Sequence, residues 1–319
     1  DVLEFFRGDD AYSVSRRVIA LTKLNQLDEG LALRRKNSKA LREFEEEISY
    51  VLGEYTYLKK KDADRAADYF AEAGGTKEVL DTPWSLQAAF MLGNIRLGKG
   101  EADKALDVFK RLEANPSFEG KEKLFLSLGQ AWYALGDQEK AVDYFQRSYA
   151  FKPNPDALYN QGLLFKGEGE TGRAREAFQQ IVDRFPESSL YYGAYLNIVY
   201  TFMDERKYDD ALGRLTSFID RAPDSLKMEV QYNIGDCYYA RGQYRDAIRE
   251  FMKVKYLPVN TDEDFQWMVT ALFQGGTAYE SLGEMDKAVE IYEYIIQISG
   301  RETVYSKTAA SRIQEIRRH

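Results

Sequence analysis

Residues 124–153 read LFLSLGQAWYALGDQEKAVDYFQRSYAFKP. Leu124, Phe125, Leu128, Ala131, Trp132 and Leu135 recur at helical spacing, and the run stops at the polar turn between Leu135 and Ala141. A glycine at the end of a helix can take positive φ, and acidic residues in the next first turn favour the helix dipole. Ala141 and Phe145, four residues apart, then share one face of a second helix. Pro153 ends that helix, because proline lacks a donor and clashes with the preceding turn. The stretch is a helix, a tight turn and a helix.

The same unit recurs along the chain. Its turn returns as Arg241-Gly-Gln-Tyr-Arg-Asp-Ala247 and Leu282-Gly-Glu-Met-Asp-Lys-Ala288. An Ala followed four residues later by an aromatic occurs at Ala66/Phe70, Ala105/Phe109, Ala141/Phe145, Ala174/Phe178, Ala247/Phe251 and Ala288/Tyr292, with Ala211/Leu215 as an imperfect seventh member. Successive intervals are 39, 36, 33, 37, 36 and 41 residues. Gly93, Gly129, Gly162, Gly235 and Gly276 stand twelve residues ahead of their alanines, Gly53 stands thirteen ahead of Ala66, and Val199 takes this place before Ala211. Pro153, Pro186 and Pro223 each follow their alanine by twelve residues. Small residues in fixed order allow two antiparallel helices of one unit to approach closely, and the aromatics are expected to fill the gaps between units.

This order resembles the tetratricopeptide repeat, whose W-x2-L-G-x2-Y, A-x3-F and P signature is matched by Leu128-Gly129-x2-Trp132, Ala141-x3-Phe145 and Pro153. The resemblance runs from about residue 38 to the end. Intervals longer than the family's 34 residues are expected to be absorbed by longer helices or loops, with Ser188 and Ser225 as N-caps after Pro186 and Pro223. The predicted fold is all-α: a right-handed solenoid of about seven helix pairs over 38–300, preceded by a helical segment or degenerate repeat over 1–37 and closed by a capping helix over 301–319.

Composition excludes more than it suggests. One histidine, His319, and one cysteine, Cys237, leave no internal disulfide, no His-based triad and no four-ligand Cys/His zinc site. The net charge of −8 argues against a nucleic-acid partner, and no apolar run is long enough for direct membrane insertion. Cys237 sits where the repeat register calls for packing, so a buried, inert thiol is expected. Gly167-Glu-Gly-Glu-Thr-Gly172 matches a dinucleotide fingerprint literally, but a helix precedes it instead of a strand, so it reads as a turn. No cofactor, metal site or catalytic residue is expected. A start at Asp1 instead of Met suits a processed product or a piece of something longer.

In stacked helix pairs the first helices line the concave side. The register places Asn94, Gln130, Tyr133, Tyr159, Asn160, Asn197, Tyr200, Tyr232, Asn233, Asp236 and Tyr239 there as a peptide-binding groove. Asn160, Asn197 and Asn233 occupy equivalent places in three successive units, and an amide both donates to and accepts from a peptide backbone. The tyrosines supply rigid, amphipathic contact area. The alternative is that the amides bond neighbouring helices and the rings pack between repeats. One subgroup of the family clamps a terminal carboxylate with lysines on these helices, but Phe90, Leu126, Tyr159 and Leu196 occupy the corresponding places here.

The expected function is a non-enzymatic scaffold that binds another protein or a peptide segment, with a second copy of the chain as a further possible partner. The alternative is the substrate-recruiting region of a larger enzyme. The Pro-x-Ser starts resemble bacterial envelope proteins related to outer-membrane assembly lipoproteins and the Tol-Pal coordinator. A single cysteine fits a bacterial cytoplasm or a periplasm equally.

Overall fold

A computed structural model describes residues 2–300 and 302–318, so His319 lies outside it. All regular structure among the described residues is helical. The chain forms two compact units, one reaching Leu164 and the other starting at Phe165.

In the first unit, α1 (Val2–Phe5) leads into α2 (Ala11–Lys23) and α3 (Leu27–Lys36), a hairpin that fills the predicted N-terminal segment. Three helix pairs follow. α4 (Glu45–Tyr55) and α5 (Ala63–Phe70) each continue into a π-helical turn, and then come α6 (Pro83–Gly98) with α7 (Ala102–Ala114), and α8 (Lys121–Ala134) with α9 (Gln138–Phe151). The hairpin docks on α4 through Val14, Val18, Ile48 and Leu52, all buried, and through an Arg16–Glu47 ion pair. The unit boundary falls inside α10 (Pro155–Gly167).

The second unit contains α11 (Thr171–Arg184), α12 (Tyr191–Asp204) with α13 (Tyr208–Phe218), α14 (Asp224–Ala240) with α15 (Tyr244–Met252), and α16 (Asp262–Ser281) with α17 (Met285–Ser299). Finally α18 (Val304–Arg318) covers α17, burying Ala309 and Ile313 while Arg312 pairs with Glu280. The exposed positions of α18 are mainly polar or charged, as the last element of a stack requires.

The repeated small residue and the repeated aromatic meet within five of the helix pairs, not between units as the sequence spacing suggested. A Cβ added at Gly129 would stand 2.5 Å from two ring carbons of Phe145, and one at Gly235 would stand 2.5 Å from Phe251. Gly53, Gly93 and Gly276 meet Phe70, Phe109 and Tyr292 in the same way. The rings are fully or almost fully buried, so they have no room to yield. The unit without the glycine exchanges volume across the same contact. Val199 replaces glycine, Leu215 replaces the aromatic, and both are buried in one core cluster.

The turns within pairs also repeat. Gly136 takes φ +79° and the Asp137 N–H donates to Trp132 O at 3.0 Å, closing the first helix with a left-handed residue. Where the sequence has no glycine, Arg206 adopts φ +58° and the Lys207 N–H makes the equivalent bond to Phe202 O. The 167–172 segment is another such turn, between α10 and α11, with Gly169 at φ +75°. Two expected caps are corrected. Ser225 lies inside α14, which starts at Asp224 behind Pro223. Ser188 accepts from the Leu190 N–H, and α12 begins only at Tyr191, because the residues after Pro186 first close a turn of their own.

Gly129→Ala should destabilise by about 1–3 kcal/mol through overpacking against Phe145. Gly213→Ala, in the middle of α13 with open space beyond its Cα, should stabilise by about 0.5–1 kcal/mol. Denaturant unfolding followed by circular dichroism measures both, and equal effects at the two sites would contradict the close approach at Gly129.

Candidate binding faces of the first helices

Charge is unevenly distributed among the helices. α6 carries only Arg96 and α12 only Asp204, whereas α7 carries six charged residues and α11 five. α7 and α11 thus turn charged faces to solvent, while α6 and α12 present aromatics and amides at positions that packing leaves half-buried.

In the first unit, the Asn94 amide donates to Phe90 O at 3.0 Å, and its Oδ1 accepts from Ser127 Oγ at 2.8 Å, tying α6 to α8. Gln130, Tyr159 and Asn160 are half-buried. Asn160 donates to Asp156 O at 2.8 Å. Tyr133 is 50 % exposed, the most open of the expected site residues.

The second unit holds a continuous polar row. Lys166 Nζ donates to Asn197 Oδ1 at 3.1 Å and lies 4.9 Å from the centre of the Tyr200 ring. The Tyr200 hydroxyl donates to Glu229 and accepts from Asn233 Nδ2 at 3.3 Å. Burial and the neighbouring Glu229 carboxylate push the Tyr200 hydroxyl up, so it stays a donor. Tyr232 lies 5.3 Å from the Trp267 ring and bonds Gln274. Tyr239 meets Tyr244 edge-on at 5.3 Å. Burial lowers the Lys166 pKa and raises those of Glu229 and Asp236.

The asparagines share a geometry that the sequence did not reveal. Asn94, Asn160, Asn197 and Asn233 each donate to the backbone carbonyl four residues earlier, at 2.8–3.0 Å. Part of each amide is therefore spent inside its own helix. Asn233 departs from the open position its register suggested: it is 3 % exposed, and its amide donates to the Tyr200 hydroxyl. Sequence reading also missed Lys166, Glu229, Trp267 and Gln274. Only Glu229 left a signal, as a carboxylate in the middle of a first helix.

Cys237 is fully buried, and burial pushes its thiol up to about 12. No helix among the described residues is long and apolar enough to cross a membrane.

Tetratricopeptide repeat models match residues 156–188 and 270–298, and a second such model matches 90–157 and 196–254. The chain belongs to the tetratricopeptide repeat family. It is similar to BBSome complex member BBS4 from Bos taurus, 28 % identical over 204 residues, covering 63 % of this chain and 36 % of that protein. It is also similar to lipopolysaccharide assembly protein B from Escherichia coli K12, 22 % identical over 256 residues, covering 78 % of this chain and 61 % of that one. The chain spans about a third of the length of the first curated relatives it matches. Among solved structures, a tetratricopeptide repeat protein from Parabacteroides merdae aligns with a TM-score of 0.53 and 17 % identity, covering 84 % of this chain and 98 % of that one. Repeats of this family make protein–protein interaction scaffolds.

Asn233→Ala should cost about 1–3 kcal/mol, because the buried Glu229 carbonyl and the Tyr200 hydroxyl each lose a donor. Asn160→Ala should stay within about 0.5 kcal/mol, and denaturant midpoints distinguish the two. Cys237 should resist iodoacetamide in the native protein at mildly alkaline pH and react only after unfolding, as mass spectrometry would read.

Proposed function

We propose that the protein is a non-catalytic scaffold that binds partner proteins on its first-helix faces, one formed in the first unit by Gln130, Tyr133, Tyr159 and Asn160 and one formed in the second by Asn197, Tyr200, Tyr232, Asp236 and Tyr239. The observation that carries this reading is the low charge of α6, α10 and α12, which hold one, two and one charged residues against six, five and three on their partners α7, α11 and α13. First helices such as α6 and α12 hold a single charged residue, yet many of their aromatic and amide side chains reach solvent. A surface of that composition is suited to anchoring a partner through rigid rings with little side-chain ordering cost.

The hydrogen bonds across the second unit support a preformed site. Lys166, Asn197, Tyr200 and Glu229 hold one another before any partner arrives. The names of two relatives, a complex member and an assembly protein, support a role inside a multi-protein assembly. The likeness to the lipopolysaccharide assembly protein is also the support for placing that assembly in a bacterial envelope.

Peptides selected from a random display library on the intact chain test the reading. Tyr133→Ala or Tyr239→Ala should weaken captured peptides by about tenfold or more. Glu176→Ala, on the exposed face of the second helix α11, should leave them unchanged. Binding that responds to Glu176 and ignores both tyrosines would overturn it.

A further inference from the structure

We infer that the first-helix face of the second unit takes a partner segment carrying lysine or arginine side chains, held between Glu229 and Asp236 on α14; this rests on the groove reading above. The face itself is aromatic. Tyr232 stands between the two carboxylates in sequence, with Trp267 of α16 on one side and Tyr200 of α12 toward the other. The charges of its helices select the occupant. Across α12, α14 and α16 there are eight acidic residues, Asp204, Asp224, Glu229, Asp236, Asp262, Glu263, Asp264 and Glu280, against one basic residue, Lys227.

Most of these acids have a structural account. Asp224, Asp262, Glu263 and Asp264 sit in first turns, where the helix dipole favours negative charge. Lys227 is held by Asp224, and Glu280 is paired with Arg312. Elsewhere in the unit, partly buried carboxylates are also neutralised. Glu205 pairs with Arg175 and Lys207, Glu250 with Lys253, and Glu284 with Lys287.

Glu229 and Asp236 differ. Both are half-buried in the middle of α14, seven residues apart on one face, and neither makes an ion pair among the described residues. The side-chain bond to Glu229 comes from the neutral Tyr200 hydroxyl. Lys166, farther along the row, is engaged by Asn197 and the Tyr200 ring. Among the described residues no cation offsets the desolvation of the two carboxylates, and a cation arriving from a partner would do so while gaining contact with the tyrosine and tryptophan faces. Seven residues of helix span about 10 Å. In a segment of polyproline II conformation, with three residues per turn and a rise of about 3.1 Å per residue, side chains three positions apart share a face and stand about 9 Å apart, so the motif expected is basic-x-x-basic.

The test uses random peptides displayed on phage and selected on the full chain. Recovered sequences should be enriched in Lys or Arg three positions apart. Their affinity should fall about tenfold in the near-isosteric Glu229→Gln/Asp236→Asn variant, and should weaken as salt rises. Circular dichroism establishes that the variant is folded; should the double variant not fold, Asp236→Asn alone carries the same expectation at reduced size. Peptides that depend on Tyr239 but are neutral or acidic, or that bind the double variant as tightly as the native chain, overturn this inference and leave the groove reading standing. A selection yielding no peptide dependent on Tyr133 or Tyr239 overturns both.

Discussion

The contact of one glycine with one aromatic ring organises five of the helix pairs. Gly129 can lie against Phe145, and Gly235 against Phe251, only because neither glycine carries a side chain. The backbones approach until the ring fills the space between them, and the alanine four residues before the ring keeps the second helix close. The Val199–Leu215 pair supports the same rule by exception, since moving volume from one partner to the other preserves the contact.

That constraint divides the side chains of a first helix. Positions facing the second helix are committed to packing, which frees the others from the core. The free positions in the second unit are joined by hydrogen bonds from one first helix to the next, so Tyr200 is held by Asn233 behind it and Glu229 beside it. A partner meeting such a surface would find rings already oriented, and most of the ordering cost would fall on the partner.

Electrostatics give the face its direction. The net charge of −8 says little, because many carboxylates are paired or placed at helix N-termini. The carboxylates without either arrangement carry more information. Glu229 and Asp236 combine partial burial with no paired cation among the described residues, and the remaining charges of their helix are otherwise explained. Complementary charge at such positions favours one class of partner and raises its encounter rate.

The repeat, its seven pairs and the closing helix were legible in the sequence, because tight helix crossings admit few residue types and so leave a period that can be counted. The turn at 167–172 was legible for the same reason. The asparagine positions were readable, but their role was not. Whether an amide turns to a ligand, to its own helix or to the next one depends on which carbonyls and hydroxyls the packing brings within about 3 Å, and no spacing rule states that. Asn233 is the clearest instance: its register marked it as part of the groove, and the approach of α12 to α14 buried it behind Tyr200. Lys166 and Glu229 were hidden because each takes its meaning from a residue about thirty positions away. The sequence by itself determined how the helices pair, since that is local volume repeated in order; the tertiary structure alone decided which polar groups remain uncompensated, since that depends on burial and on partners distant in the chain.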